Sequence, residues 1–170
     1  MNILIAGAGH MGKWLLQELK SEHDVTVLDI VDPELQPHPN VRFINDEKEL
    51  LNSSFDLLIN AVSLNNTIKA FETIIPHLNK DCLISDIASV KTGLKEFYSD
   101  SGFKFVSVHP MFGPTFGNLQ DLSSENAIII SESDKTGKCF FIDFFKKFKN
   151  IFFDYTFEKN DRTTAYTLTT

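Results

Sequence analysis

The six residues Gly7-Ala8-Gly9-His10-Met11-Gly12 place glycine at the first, third and sixth positions, after a short apolar run and before an amphipathic one. Gly7 permits a tight turn, Gly9 lets the backbone approach a pyrophosphate, and Gly12 allows close contact between helix and strand. The helix that opens there offers free N–H groups and the positive end of its dipole to an anion, so no basic side chain is needed. Asp29 follows the glycines at about the 20-residue interval at which a carboxylate meets adenosine ribose hydroxyls. A 2′-phosphate would be repelled by that carboxylate, and the next arginine is Arg42, so the pattern favours NAD over NADP. The competing reading is a glycine turn beside a solvated aspartate, and the flanking strand and helix argue against it. The expected cofactor contacts are Gly7, Gly9, His10, Met11, Gly12 and Asp29, joined by Val62 and Ser63 at the end of the fourth strand. His10 stands at a variable position of the motif and could be incidental to it.

Alternating patterns supply the elements that would position these residues. Strand-like runs fall at Asn2 to Ala6, Val25 to Leu28, Val41 to Ile44, Asp56 to Val62, Cys82 to Ile87, Lys104 to Val108, Ala127 to Ile130 and Ile151 to Phe157. Helical spacing falls at Met11 to Leu19, near Asp46 to Asn52, at Thr67 to Leu78 and at Val90 to Ser99. Phe140, Phe141, Phe144, Phe145 and Phe148 recur at the spacing of one helix face, with Asp143, Lys146 and Lys149 on the other, and form a core stripe. Strands separated by helices imply right-handed crossovers, and the expected fold class is α/β: a Rossmann-type, doubly wound, mostly parallel sheet with helices on both faces. The expected division is a dinucleotide-binding domain over residues 1–157 and the start of a helix over 158–170. That helix, with Asp161 as N-cap or first-turn acid, is expected to lead into a helical dimerisation domain.

Composition narrows the function classes. The chain has 170 residues, 42% of them hydrophobic and 23% charged, which suits an ordinary globular domain. A net charge of −7 argues against nucleic acid as a partner, and no segment reads as a signal peptide or membrane span, so a cytoplasmic location is expected. Cys82 and Cys139 both read as small buried hydrophobes, and His23, His38 and His77 as surface or turn residues. No cysteine or histidine has metal-ligand spacing, and no metal is expected.

Two later segments point further. Ser85-Asp86-Ile87-Ala88-Ser89-Val90-Lys91 ends the fifth strand, and Val108-His109-Pro110-Met111-Phe112-Gly113-Pro114 ends the sixth. Both resemble the prephenate dehydrogenase family, and the second is especially similar to the dehydrogenase part of bifunctional chorismate mutase/prephenate dehydrogenases. The resemblance covers nearly the whole chain. It implies NAD-dependent oxidative decarboxylation of prephenate to 4-hydroxyphenylpyruvate, in tyrosine biosynthesis, by a full-length protein that is a homodimer. That reaction needs a base of near-neutral pKa beside the substrate hydroxyl, and the resemblance makes His109 the base. Taken alone, a histidine before a proline at a strand end could merely cap the strand. Ser89 is implied to hydrogen-bond near His109 and the hydroxyl, and it could also be the N-cap of the helix at Val90. Lys91 is implied to hold the loop or a carboxylate.

The chain departs from the family in two places. Ser63 stands where a proline often follows the valine. Asn160 stands before Asp161 where the family commonly has His, so the position is given no part in substrate binding. Thr115 to Ser124 could be a flap near the substrate or a surface loop. Other readings are an arogenate dehydrogenase, another NAD(P)-dependent reductase such as an imine reductase, and a non-catalytic dinucleotide-binding module.

Overall fold

The computed structural model describes residues 1–33, 36–51, 53–113 and 122–167. Pro114 and residues 115–121 of the expected flap lie outside the described residues, as do Asn52 and the last three positions. The chain forms two compact units, residues 1–85 and 86–170.

The first unit is built on β1 (Asn2–Ala6), α1 (His10–Leu19), β2 (Asp24–Leu28), β3 (Val41–Ile44), β4 (Leu57–Asn60) and α2 (Thr67–Ile74), and it ends within β5 (Leu83–Asp86), whose last residue, Asp86, opens the second unit. The strand order is β3-β2-β1-β4-β5, and β1 pairs in parallel with both β2 and β4, as β2 does with β3. Sequence explains the order. The apolar runs of β1 and β4 are buried along almost their whole length, as interior strands of a parallel sheet must be. The more polar β3 lies at the end of the ladder and is mostly part-exposed. Trp14, Leu15, Leu16 and Leu19 form the buried stripe of α1. The helix expected near Asp46 to Asn52 is only a 3-10 turn, Glu47–Leu50. The one expected to reach Leu78 gives way at Ile75–His77 to a 3-10 turn holding Pro76, whose missing N–H cannot continue an α-helix.

The second unit contains α3 (Leu94–Ser101), β6 (Phe105–Pro110), β7 (Asn126–Ile130), α4 (Lys135–Lys146), β8 (Ile151–Tyr155) and α5 (Phe157–Thr167). β6 and β7 run antiparallel, and β7 and β8 parallel. Four of these five described pairings are parallel, as the alternating pattern implied. Phe141, Phe144, Phe145 and Phe148 are buried, while Asp143, Lys146 and Lys149 are exposed. Ring pairs such as Phe141–Phe145, with centroids 5.9 Å apart, fill the core under α4.

Several expectations need correction. α3 begins at Leu94, after Gly93 in a left-handed conformation, so Ser89 is not its N-cap. The last strand stops at Tyr155 and α5 begins at Phe157, not after it, so Asp161 lies inside the helix and caps nothing at its own N-terminus. Cys139 is exposed, since it sits about 200° around α4 from the buried Phe141 at 100° per residue. Cys82 is buried as expected, and burial pushes its thiol up to about 12.

Candidate functional site

In the first unit the glycine loop is a site made from backbone. Gly7 adopts φ +94°, and its N–H donates to Leu28 O at 2.8 Å, which ties the turn to the end of β2. A Cβ on Gly7 would lie 2.8 Å from the Val62 nitrogen, and one on Gly12 would lie 1.9 Å from the Gly7 oxygen. Glycine is therefore required at both positions by the protein's own packing. Gly9 differs, because a Cβ there would meet nothing within 4 Å. The space beside Gly9 is open at the first turn of α1, whose N-terminus has no side-chain cap and no acidic residue. An anion would meet unsatisfied N–H groups there.

Asp29 follows β2 and braces the loop. Its carboxylate accepts from Ala8 N at 2.6 Å and from Val31 N at 3.1 Å. A cavity of about 520 Å³ joins Gly7, Gly9, Asp29, Val62 and Ser63, with the exposed Ile30 among its other lining residues. Its size and lining fit an adenosine diphosphate moiety: glycine backbone for phosphate, a carboxylate for ribose and an apolar side chain for a base. His10, Met11 and Gly12 are not part of that lining. His10 is exposed at the start of α1, Met11 is half-buried, and Gly12 is buried against the loop.

The second unit holds a cluster of buried polar side chains. Asp86, at the end of β5, accepts from Lys91 Nζ at 2.5 Å, from Tyr98 Oη at 2.7 Å and from Ala88 N at 2.9 Å. Lys91 Nζ also donates to Val108 O at 2.7 Å. The side chains of Lys91 and Asp86 are both 0% exposed, so the carboxylate that Lys91 holds is that of Asp86. Burial lowers the Lys91 pKa, an effect opposed by the Asp86 charge. Burial, reinforced by that same charge, holds the Tyr98 hydroxyl well above its ordinary value and keeps it a donor.

His109 lies one residue beyond Val108, near the end of β6, and is 7% exposed. Its Nδ1 is 3.1 Å from Asn160 Oδ1 on α5. Burial lowers the His109 pKa below the usual 6.5; the Asn160 bond opposes this, the Lys91 charge adds to it, and Asp86 and Asp161 oppose it. The imidazole is therefore neutral at physiological pH. Asn160 in turn donates through Nδ2 to Ser89 O at 3.0 Å and to Asp161 Oδ1 at 3.1 Å. Asp161 caps the 91–92 turn, accepting from Lys91 N at 2.6 Å and Thr92 Oγ1 at 3.1 Å. The Ser89 segment and His109 are thus both fastened to Asn160 of α5, and Asp161 holds the turn that follows Ser89. The Ser89 side chain is exposed, and it is the backbone carbonyl that joins the network.

Asn160, given no role from sequence, is wholly buried at the centre of this arrangement. Asp86, Tyr98 and Asp161 were also missed as members of the site. Asp86 and Lys91 stand five residues apart within the first family-like segment, which is the signal that could have paired them. His38 serves a turn, its Nδ1 accepting from Asn40 N. Among the described residues no group of three or more His, Cys, Asp or Glu could hold a metal, and no helix is long and apolar enough to cross a membrane.

Comparison with known proteins covers most of the chain. A family model described as "Prephenate dehydrogenase, nucleotide-binding domain" matches residues 16–151. A probable arogenate/prephenate dehydrogenase of Methanocaldococcus jannaschii is 28% identical over 139 residues, which are 78% of this chain and 30% of that protein. The fold is shared with Aquifex aeolicus prephenate dehydrogenase solved with hydroxyphenyl propionate and NAD+ (TM-score 0.77, 18% identity, 96% of this chain and 62% of that one). It is shared equally with Synechocystis arogenate dehydrogenase (TM-score 0.77, 18% identity, 98% and 64%). The chain therefore spans less than a third of the curated relative and less than two thirds of these solved chains. With most of its length matched by that model, the chain belongs to the nucleotide-binding domain family of the prephenate dehydrogenases.

Proposed function

We propose that this chain is the cofactor-binding part of an NAD-dependent dehydrogenase that converts prephenate to 4-hydroxyphenylpyruvate and carbon dioxide, a step of tyrosine biosynthesis. The observation that carries the reading is a buried neutral imidazole, His109, held by the Asn160 side chain from another element of its own unit. A bare nucleotide-binding module has no use for such a group, whereas oxidation of an alcohol needs a base of this kind.

In this reading the backbone at Gly7 and Gly9 and the first turn of α1 receive the pyrophosphate, and Asp29 accepts from the ribose hydroxyls. Val62 and Ser63 form the wall of the same cavity. When bound, NAD+ supplies the hydride acceptor. His109 accepts the proton of the ring hydroxyl as that carbon is oxidised. Loss of the ring carboxylate as carbon dioxide then sends its electron pair into the ring, which becomes aromatic, and His109 returns the proton to the phenolate oxygen. The lowered pKa suits both steps, since the resting imidazole is free to accept and the imidazolium gives its proton back readily. The exposed Ser89 hydroxyl, on a segment fixed through its own carbonyl, is the proposed second contact to the substrate oxygen.

Arogenate is the competing substrate, since both the M. jannaschii and Synechocystis proteins carry that name. Side-by-side turnover of the two substrates by the whole protein separates them, and prephenate is expected to be the faster. Calorimetric titration of this chain with NAD+ and NADP+ tests the cofactor site directly. NAD+ is expected to bind the more tightly, because a 2′-phosphate would approach the Asp29 carboxylate. Binding of neither nucleotide would sink the reading.

A further inference from the structure

The Asn160 amide sits among three groups whose hydrogen-bonding character is not in question on two sides. Ser89 O is a carbonyl and can only accept, and it lies 3.0 Å from one amide atom. Asp161 Oδ1 lies 3.1 Å from that same atom, and it also accepts from Lys91 N at 2.6 Å, as a carboxylate oxygen does. An amide turned the other way would press its oxygen against two oxygens and leave its NH₂ without either acceptor, in a residue that is 0% exposed. The NH₂ therefore faces Ser89 and Asp161, and the amide oxygen faces His109. An amide oxygen cannot donate, so the contact at 3.1 Å is a hydrogen bond only if His109 Nδ1 carries the proton.

We infer that Asn160 is a positioning residue that fixes His109 as the Nδ1–H tautomer and leaves Nε2 as the nitrogen that accepts the substrate proton. The second half of the inference rests on the dehydrogenase reading; the first does not. Free histidine favours the opposite, Nε2–H form, in which the lone pair would sit on Nδ1. Left to itself, the ring would offer a donor where the reaction needs an acceptor. An amide achieves the selection without adding a charge beside the imidazole, which already lies in the field of Lys91, Asp86 and Asp161. Asp161 completes the arrangement at one remove. It holds the amide in its orientation and ties the 91–92 turn to α5, while the adjacent Asn160 ties down Ser89.

The test is a long-range proton–nitrogen NMR spectrum of the whole chain with nitrogen-15 histidine, recorded above the ordinary imidazole pKa. The chain has five histidines, and His109→Gln assigns the signal. The expected result is Nδ1 of His109 with the shift of a protonated ring nitrogen and Nε2 with that of a lone-pair nitrogen. Asn160→Ala should reverse the pattern. Asn160→Asp keeps an acceptor opposite Nδ1; it should keep the Nδ1–H form and move the titration of His109 upward, because a carboxylate stabilises the imidazolium. An Nε2–H pattern in the parent chain overturns the inference even if Asn160→Ala fails to fold, and so does an unchanged pattern in a folded Asn160→Ala. Turnover is a separate readout. An Nδ1–H signal in a protein inert towards prephenate and arogenate would leave the tautomer assignment standing and remove its catalytic meaning. Turnover together with an Nε2–H signal would overturn the inference and leave the dehydrogenase reading standing.

Discussion

The two units have the same length and the same strand and helix vocabulary, yet they build their sites from different material. Residues 1–85 use backbone and shape: a glycine turn, a helix start and an open cavity, with the shifted Cys82 thiol buried away from that cavity's lining. Residues 86–170 use buried side chains that satisfy one another, and Lys91, Tyr98 and His109 are all pushed from their ordinary values. A site of the first kind tolerates change at most side chains and fails where a Cβ intrudes. A site of the second kind behaves as a unit, because every removed partner strands another buried polar group.

The strongest way to break that contrast is Asp86→Ala. It leaves the Lys91 ammonium buried without a carboxylate, and strips Tyr98 Oη and Ala88 N of their acceptor. Removal of one partner of a buried pair costs about 3–5 kcal/mol, and that loss is expected in urea unfolding of the chain. A loss below about 1 kcal/mol, within the range of an exposed pair, would show that the network is not a unit. Replacing both partners together, Asp86→Leu with Lys91→Met, should cost much less than the single change, since no charge is then stranded.

His109→Ala comes next. Turnover by the whole protein should fall by roughly a hundredfold or more, about 2.7 kcal/mol of barrier, while NAD+ affinity in the chain changes little. Equal loss of both would make His109 a structural residue. The depressed pKa adds a sign. Above the ordinary value of 6.5 the imidazole is neutral in both folded and unfolded chains and contributes no pH dependence. Below it the unfolded chain takes up the proton first, so stability falls with pH until the folded value is reached. His109→Gln should remove that part of the acid sensitivity in urea titrations on either side of pH 6.5.

The same contrast explains what could be read in the sequence. The glycine spacing, Asp29 and the alternating apolar runs are local patterns, and the first unit follows them closely. Shifts at element ends came from Pro76 and Gly93, each of which changes the backbone at one point. The second site is made of contacts between residues far apart in sequence, such as the 51 positions from His109 to Asn160 and the 70 from Lys91 to Asp161. The buried face of α5 carries Phe157, Asn160 and Thr164. With two of those three polar, apolar periodicity had little to mark, and Asp161 looked like a helix cap. Asn160 was visible only as a departure from a family pattern, which says that a residue differs and not what it touches.

The smallest effects separate the two roles assigned to Gly9 and Gly12. Gly12→Ala would put a Cβ 1.9 Å from the Gly7 oxygen, and forcing the helix from the loop should cost about 1–3 kcal/mol of stability as well as NAD+ affinity. Gly9→Ala would meet no protein atom within 4 Å. Its backbone, at φ −65°, suits any residue, and alanine in place of glycine at a helix N-cap should cost less than about 1 kcal/mol. NAD+ affinity should nevertheless fall about tenfold or more, roughly 1.4 kcal/mol, because the added methyl occupies the approach to the pyrophosphate. Urea unfolding and calorimetry on the two variants separate the roles. If Gly9→Ala bound NAD+ as well as the parent chain, the open space at the start of α1 would not be where the phosphates lie, and the glycine loop would be only a tight turn.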